Sequence, residues 1–264
     1  MTERNPGKLN QLERTLPEGM VADAAWMEAR GYSSSLRSQY VAAGWLEQPV
    51  RGTFKRPLGR LSWQGVVLSL QTLLKRDLVV GGATALDLHG LTHYVAPAGP
   101  RVVHLYGTVP PPSWLAKLPL PQTFHFHRTQ NLFRTLHADE DLQGGTVRAL
   151  HDGDSALILS TPERAFLELL DELPGRQSFH NVDMIAEGLR TLSPRRLNQL
   201  LQDCRSIKVK RLFFWFADRH SPPWLSQIDK KAIDLGSGKR MIVKGGRLDA
   251  TYLITVPEDL SAPV

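Results

Sequence analysis

Several groups of residues in this chain have types and spacings that chemistry could use. Gly236-Ser237-Gly238-Lys239 looks like the end of a phosphate-binding loop. Such a loop needs a glycine five positions before Gly238, and a Ser or Thr after the lysine to hold magnesium. Ile233 and Arg240 stand there instead. His125 and His127 flank Phe126 at strand spacing and share one face. Two imidazoles without a nearby third ligand do not make a metal site. The expectation is an exposed histidine pair, with no metal and no cofactor. His151, Asp152 and Asp154 read most simply as a polar turn. A metal-dependent nuclease needs clustered acids with a Glu-x-Lys or Asp-x-Lys arm. No Glu here has Lys two residues on, and Asp229-Lys230-Lys231 falls in a segment read as loop or helical turn. With Cys204 as the one cysteine and no G-x-S-x-G, nucleophilic hydrolysis lacks support. No catalytic constellation emerges, and the chain is expected not to be an enzyme.

A different chemistry, hydrogen bonding to base edges and phosphates, has better candidates between residues 19 and 56. Ser33, Ser34, Ser35, Arg37, Ser38 and Gln39 cluster in one short stretch, followed by Arg51, Thr53, Lys55 and Arg56. Arg suits the guanine edge, Gln the adenine edge, and Ser either a base or a phosphate.

These side chains need a scaffold to aim them. Val21 to Arg30 alternates apolar and polar residues as a half-buried helix does, with Trp26 and Met27 inward. Gly31 can close it at positive φ. Ser33 then caps a second helix running to about Ala43, with Leu36, Tyr40 and Val41 inward. Gly44 ends that helix. Trp45–Gln48 and Thr53–Arg56 are expected strands around the turn Pro49-Val50-Arg51-Gly52. Helix, turn, helix and basic hairpin in that order outline a winged helix-turn-helix, with Arg51, Lys55 and Arg56 on the wing.

The rest divides by pattern. Lys8–Leu16 reads as a leading helix and residues 57–61 as a hinge. From Ser62 onward, apolar helices such as Trp63–Leu74 alternate with strands such as Val102–Tyr106, Phe124–Arg128, Val147–Ala149 and Ala156–Leu159. Met241–Val243 and Tyr252–Val256 read as a final strand pair. Thr161-Pro162-Glu163 supplies a cap, a first-turn proline and an acid ahead of another helix. The expected fold is therefore α+β: a winged helix-turn-helix over residues 1–60, then a larger mixed α/β domain over 61–264, with a subdivision near 160.

Composition sets the outer limits. The 264 residues are 42% hydrophobic, enough for a substantial core, and no run approaches the roughly 20 apolar residues of a membrane helix. The N-terminus has no apolar signal segment, so a cytoplasmic protein is expected. Net charge is +6, unevenly spread. Residues 1–60 carry nine Lys/Arg against six Asp/Glu, residues 61–190 ten against thirteen, and residues 191–264 thirteen against seven. The basic N-terminus suits duplex DNA. The more basic C-terminus, with Lys208, Lys210, Arg211, Lys239 and Arg240, fits a second nucleic-acid surface, a docking face for an acidic protein, or a merely solvated surface.

Taken with the winged-helix stretch and Gly-Trp-Leu-Glu at 44–47, three further blocks make the chain resemble the AbiEi family of type IV toxin–antitoxin (abortive infection) antitoxins. They are Ser160-Thr-Pro-Glu-Arg-Ala-Phe166, Lys208-Val-Lys-Arg-Leu-Phe213, and Leu235-Gly-Ser-Gly-Lys-Arg240 with Gly245-Gly-Arg-Leu-Asp249. The resemblance implies a bipartite protein. Its winged helix would bind inverted repeats of double-stranded DNA in its own promoter, as a repressor. Its C-terminal domain would counteract a nucleotidyltransferase toxin, without a stable complex. Two other readings stay open: a ligand-responsive winged-helix regulator with no toxin partner, and a nucleic-acid-processing enzyme using Asp152, Asp154 and the Lys239 loop.

Overall fold

The computed structural model describes residues 6–92, 99–135, 145–152 and 155–260. The N-terminal part is built on short elements whose caps are written in the sequence. After α1 (Pro6–Thr15), two residues form β1 (Ala22–Asp23), and Asp23 caps α2 (Ala24–Ala29) by accepting from the Trp26 amide at 2.8 Å. The helix expected from Val21 thus starts three residues later, because Ala22 and Asp23 are engaged in pairing with β2 (Thr53–Phe54). Gly31, at φ +80°, makes the turn that L side chains resist, and Ser33 caps α3 (Ser34–Ala42) by accepting from the Leu36 amide. The expected strand at Trp45–Gln48 shrinks to one bridge, Glu47 to Lys55. β1 is the principal partner of β2. Leu12, Leu16, Met20, Trp26, Met27, Tyr32, Leu46 and Phe54 close this small core, with Leu36, Tyr40 and Val41 against it.

A second, larger core begins at α4 (Trp63–Leu68), which runs on to Leu73 in a wider helical turn. The two cores meet tightly. The Val21 amide donates to Ser69 Oγ at 2.8 Å, and a Cβ on Gly65 would lie 2.4 Å from the Gly19 carbonyl oxygen. The segment read as a hinge is tied down too. The Gly59 amide donates to Glu18 at 2.7 Å, and Lys55 Nζ donates to the Gly59 carbonyl at 2.8 Å.

The central sheet combines β3 (Leu78–Val80), β4 (Val102–Gly107), β5 (Thr123–Arg128), β6 (Val147–Asp152) and β7 (Ser155–Ser160) in the order β5-β4-β3-β7-β6. β4 with β5 and β3 with β7 are parallel; the other two pairs are antiparallel. Between strands lie α5 (Gly82–Leu88), and after β5 the single turn α6 (Thr129–Leu132).

Helix α7 (Pro162–Asp171) packs against β7, and of the helices α8 (Phe179–Gly188), α9 (Pro194–Asp203) and α10 (Ile207–His220), α9 and α10 pack on α7 and α8 packs on α10. The block Ser160–Phe166 is the anchor of α7. Arg164 Nε donates to Glu168 Oε1 at 2.8 Å, and both side chains are fully buried. The carboxylate also accepts from Ser160 Oγ at 3.1 Å and from the Gly82 amide at 2.8 Å. A buried ion pair is tolerable because its remaining lone pairs are satisfied in this way. At the C-terminus, β8 (Arg247–Asp249) pairs with β9 (Ile254–Val256). The strand expected at Met241–Val243 is therefore placed a few residues too early. The whole is mixed α+β, a helical N-terminal region followed by a mixed-sheet domain. Among the described residues, no helix is long and apolar enough to cross a membrane.

Candidate nucleic-acid interface

Helix α3 shows the solvent a small polar face. Ser33, Ser34, Ser35, Ser38 and Gln39 are exposed, with Ala42 continuing the same surface. Small residues let a helix approach a groove floor closely, and Gln39 can present both a donor and an acceptor. At the turn beyond, Arg51 is exposed and Thr53 is buried. Thr53 Oγ1 donates to the Val50 carbonyl at 2.9 Å and accepts from the Val50 amide at 3.2 Å, which fixes the turn that carries Arg51.

Three expected contact residues point elsewhere. Arg37 is 7% exposed. Its guanidinium donates to the Tyr32 carbonyl at 2.6 Å, lies 3.7 Å from Glu28, and sits over the Phe54 ring. Two residues after Ser35, it falls on the inward side of α3, so its role is to tie α3 to the turn and to β2. Lys55 is 6% exposed, paired with Glu47 at 2.7 Å and bonded to the carbonyls of Arg56 and Gly59. It closes the hairpin base and cannot reach a phosphate from there. Arg56 is half-buried and pairs with Glu18 at 3.0 Å. Sequence reasoning also passed over Arg30. It is exposed at the end of α2, stacked 3.8 Å over the Trp26 ring and so held in one orientation. The signal was its position just before the Gly31 turn, on the polar side of α2.

The C-terminal cations divide in the same way. Lys208 Nζ donates to the carbonyls of Asp171 and Leu173, at the end of α7, where the helix dipole favours a cation. Lys210 and Arg211 are each 2% exposed. Lys210 donates to the Asp234 carbonyl, and Arg211 to the carbonyls of Leu235, Gly238 and Leu253. These three side chains therefore do not form the outward anionic-partner surface expected of them. The first-turn position of Lys210 and Arg211 on α10, unfavourable for cations, is offset by these carbonyls. The same contacts show what Leu235–Arg240 is: a loop strapped to α10, rather than a phosphate cradle opening a helix. Lys239 and Arg240 on that loop are exposed. Asp152 ends the edge strand β6, and Asp154 lies outside the described residues.

A group that sequence spacing missed lies on the central sheet. Register pairs His104 with His125 and Tyr106 with His127, so four rings share one face. His104 Nδ1 is 3.1 Å from His127 Nε2, and His127 Nδ1 is 3.2 Å from Glu172 Oε1. Burial, aided by His125 and Arg176, pushes His104 down to about 3 and His127 to about 4. The 3.2 Å contact is thus a neutral imidazole N–H donating to Glu172, not an ion pair. Burial also raises Glu172. The histidines are not the exposed pair expected. Their partner His104 is 21 residues away on another strand, which only the parallel pairing of β4 and β5 brings alongside. A cavity of about 560 Å³, lined by His127, Arg128, Asn131, Glu172 and Arg176, opens beside them.

A helical N-terminal region with a polar helix face, followed by a mixed-sheet domain, makes this a mixed α+β protein. The family comparison is more specific. Residues 5–97 match the N-terminal domain and residues 101–257 the main domain of the transcriptional regulators described as AbiEi antitoxins of type IV toxin–antitoxin systems. The chain belongs to this AbiEi family. A crystal structure of the RV2827C protein from Mycobacterium tuberculosis shares the fold, with TM-score 0.54 and 16% identity over 94% of this chain and 89% of that one. No curated protein sequence matches the chain.

Proposed function

We propose that this regulator is an autorepressor whose N-terminal region is a winged helix-turn-helix, reading inverted repeats in its own promoter. The exposed face of α3, with Ser34, Ser35, Ser38 and Gln39, enters the major groove. Arg51 on the wing turn and Arg30 at the end of α2 take flanking phosphates. The observation that carries this reading is the polar α3 face flanked by those two exposed arginines. Membership of a transcriptional-regulator family supports it. The head is proposed to end near residue 60, since most of the apolar packing divides there, with Val21 joining the larger core and Leu68, Leu73 and Leu74 packing back on the smaller one, although the two family regions meet between 97 and 101. The remainder, 61–264, is proposed as the antitoxin domain, with its own division near 160 at the anchor block.

In this reading the C-terminal domain opposes a nucleotidyltransferase toxin without a stable complex, and it acts without catalysis. Lys239, Arg240 and Lys244 contribute to its exposed positive charge. The cavity beside His127 favours a second reading, in which a small ligand modulates the regulator. Titrating the full chain into a fluorescent duplex of its own upstream region tests the main proposal. Binding is expected to be tighter than to a scrambled duplex by 10³-fold or more, in order of magnitude, and to weaken steeply with salt. Equal affinity for both duplexes overturns sequence-specific repression.

A further inference from the structure

The histidine cluster stands apart from the DNA reading and from the antitoxin role. We propose that His104, His127 and Glu172 form a binding site for one divalent transition-metal ion of zinc type, opening on the cavity beside Arg128 and Arg176. One ligand atom from each of the three lies within 4.8 Å of the others. The set is two imidazoles and one carboxylate, the donor combination that borderline ions such as Zn²⁺ prefer when a position is left for water. The two facing imidazole nitrogens are 3.1 Å apart. Two nitrogens bound tetrahedrally to one zinc would be separated by about 3.3 Å, as bond lengths near 2.0–2.1 Å require. An ion can therefore replace the proton they share without separating the two nitrogens, provided the rings tilt so that both lone pairs converge on it. His104 would then carry its proton on Nε2.

Glu172 now lies 3.2 Å from the other ring nitrogen of His127, Nδ1, so it completes the set by leaving that bond and swinging its carboxylate toward the ion. Its Oε2 is buried without a hydrogen-bond partner among the described residues, with the Arg176 guanidinium 3.5 Å away. The rings are held where an ion needs them. His127 stacks on Tyr106 with centroids 4.6 Å apart, and His104 on His127 at 5.3 Å. The Tyr106 hydroxyl in turn donates to the Glu168 carbonyl at 3.4 Å, which links this wall to the buried Arg164–Glu168 pair. The cavity beside His127 and Glu172 gives the ion a route in and an open coordination position. His125, whose Nδ1 is buried and unpartnered, lies next to the site but outside the ligand set.

The test uses tag-free, chelator-treated full-length protein titrated with Co²⁺ and followed by visible ligand-field absorption, then repeated with Zn²⁺ as competitor. The expected result is one Co²⁺ per chain, with visible bands that Zn²⁺ abolishes. Affinity should fall by at least tenfold in His104→Gln and in His127→Gln. It should persist in His125→Gln and in His180→Ala, which removes an exposed His–Asp pair able to bind metal at the surface. Wild-type protein that shows no bands overturns the site whatever the variants do. So do bands that survive His104→Gln or vanish with His180→Ala. Should the Gln variants fail to fold by circular dichroism, thermal unfolding of the wild type decides. A rise in Tm with stoichiometric Zn²⁺ supports the site, and an unchanged Tm overturns it.

Discussion

The guanidinium of Arg37 donates to the carbonyl oxygen of Tyr32 at 2.6 Å, from inside the helix proposed to read DNA. An arginine on a reading helix normally suggests a guanine contact, but this one spends its donors on the protein. Arg37→Ala leaves that buried carbonyl without its charged donor, at a cost of about 1.5–3 kcal/mol. Chemical denaturation should show this loss. Duplex binding by the folded variant should fall by a similar factor for every sequence. A change in sequence preference without loss of stability would return Arg37 to the groove.

Gln39 should behave in the opposite way. It is exposed, and no hydrogen bond of its side chain is required by the fold, so Gln39→Ala is expected to leave the denaturation midpoint within about 0.5 kcal/mol of wild type. If it reads a base, affinity for the cognate duplex falls by about 1–3 kcal/mol while affinity for scrambled DNA holds. Anisotropy titrations against duplexes substituted one base pair at a time would locate the position it reads. A uniform loss across all of them argues against base contact.

The proposed wing separates two cations that the sequence alone could not distinguish. Arg51→Ala should reduce the slope of log affinity against log salt by about 1, since an exposed arginine on a phosphate releases one counterion. Lys55→Ala should instead destabilise the hairpin base, because Glu47 and the Gly59 carbonyl lose their partner. Salt-dependent binding of both variants, read beside their melting curves, checks the division. A reduced salt slope in Lys55→Ala at unchanged Tm would contradict it.

Where the sequence succeeded and failed follows one physical boundary. Caps and turns are local, so Ser33, Gly31 and the helix start at Pro162 were readable from a few neighbours, although the Thr161 hydroxyl expected to cap that helix makes no cap bond. The side a polar residue takes depends on what packs over it. Arg37, Lys55, Lys210 and Arg211 are long, and each finds backbone carbonyls, a few residues away for Arg37 and Lys55 and more than twenty away for Lys210 and Arg211. Charge counting treats them as surface, and packing makes them struts. The histidine cluster failed for the same reason: His125 and His127 are visible as a pair, but the parallel β4–β5 register that adds His104 is a property of the sheet. The anchor block shows the converse case. Arg164 and Glu168 sit at helical i, i+4 spacing, yet their burial and the Gly82 amide that completes them were not visible.

The joint between the two cores makes a sharper demand. A methyl group on Gly65 would come within 2.4 Å of the Gly19 carbonyl oxygen, a backbone atom with no rotamer to escape into. Gly65→Ala should therefore destabilise the protein by about 1–3 kcal/mol, although alanine is the better helix former. The head should also unseat from α4. Limited proteolysis near residues 57–61 would report that as faster cleavage than in wild type. A variant as stable and as resistant as wild type would mean that this contact does not hold the head.

Acid should weaken the sheet through His104 and His127. Both are held neutral in the fold, at about 3 and about 4, against 6.5 when unfolded, with burial as the main cause and His125 and Arg176 adding to it. Between about pH 4 and 6.5 the unfolded chain binds more protons than the native one, so stability is complete above 6.5 and declines as pH falls. From pH 7 to 5.5 each ring should cost about 1 kcal/mol. Glu172, raised by burial, works against this, since its proton is bound more tightly in the fold and favours the native state as pH drops towards 4.5. Asp171 and Arg176 also face the cluster, so the wild-type curve alone mixes several groups. The difference between wild type and His127→Gln, measured by urea denaturation at both pH values with chelator present, isolates one ring. The variant should lose less stability on acidification, by about that single-ring amount; equal losses would mean that His127 titrates in the native protein as it does in the unfolded chain.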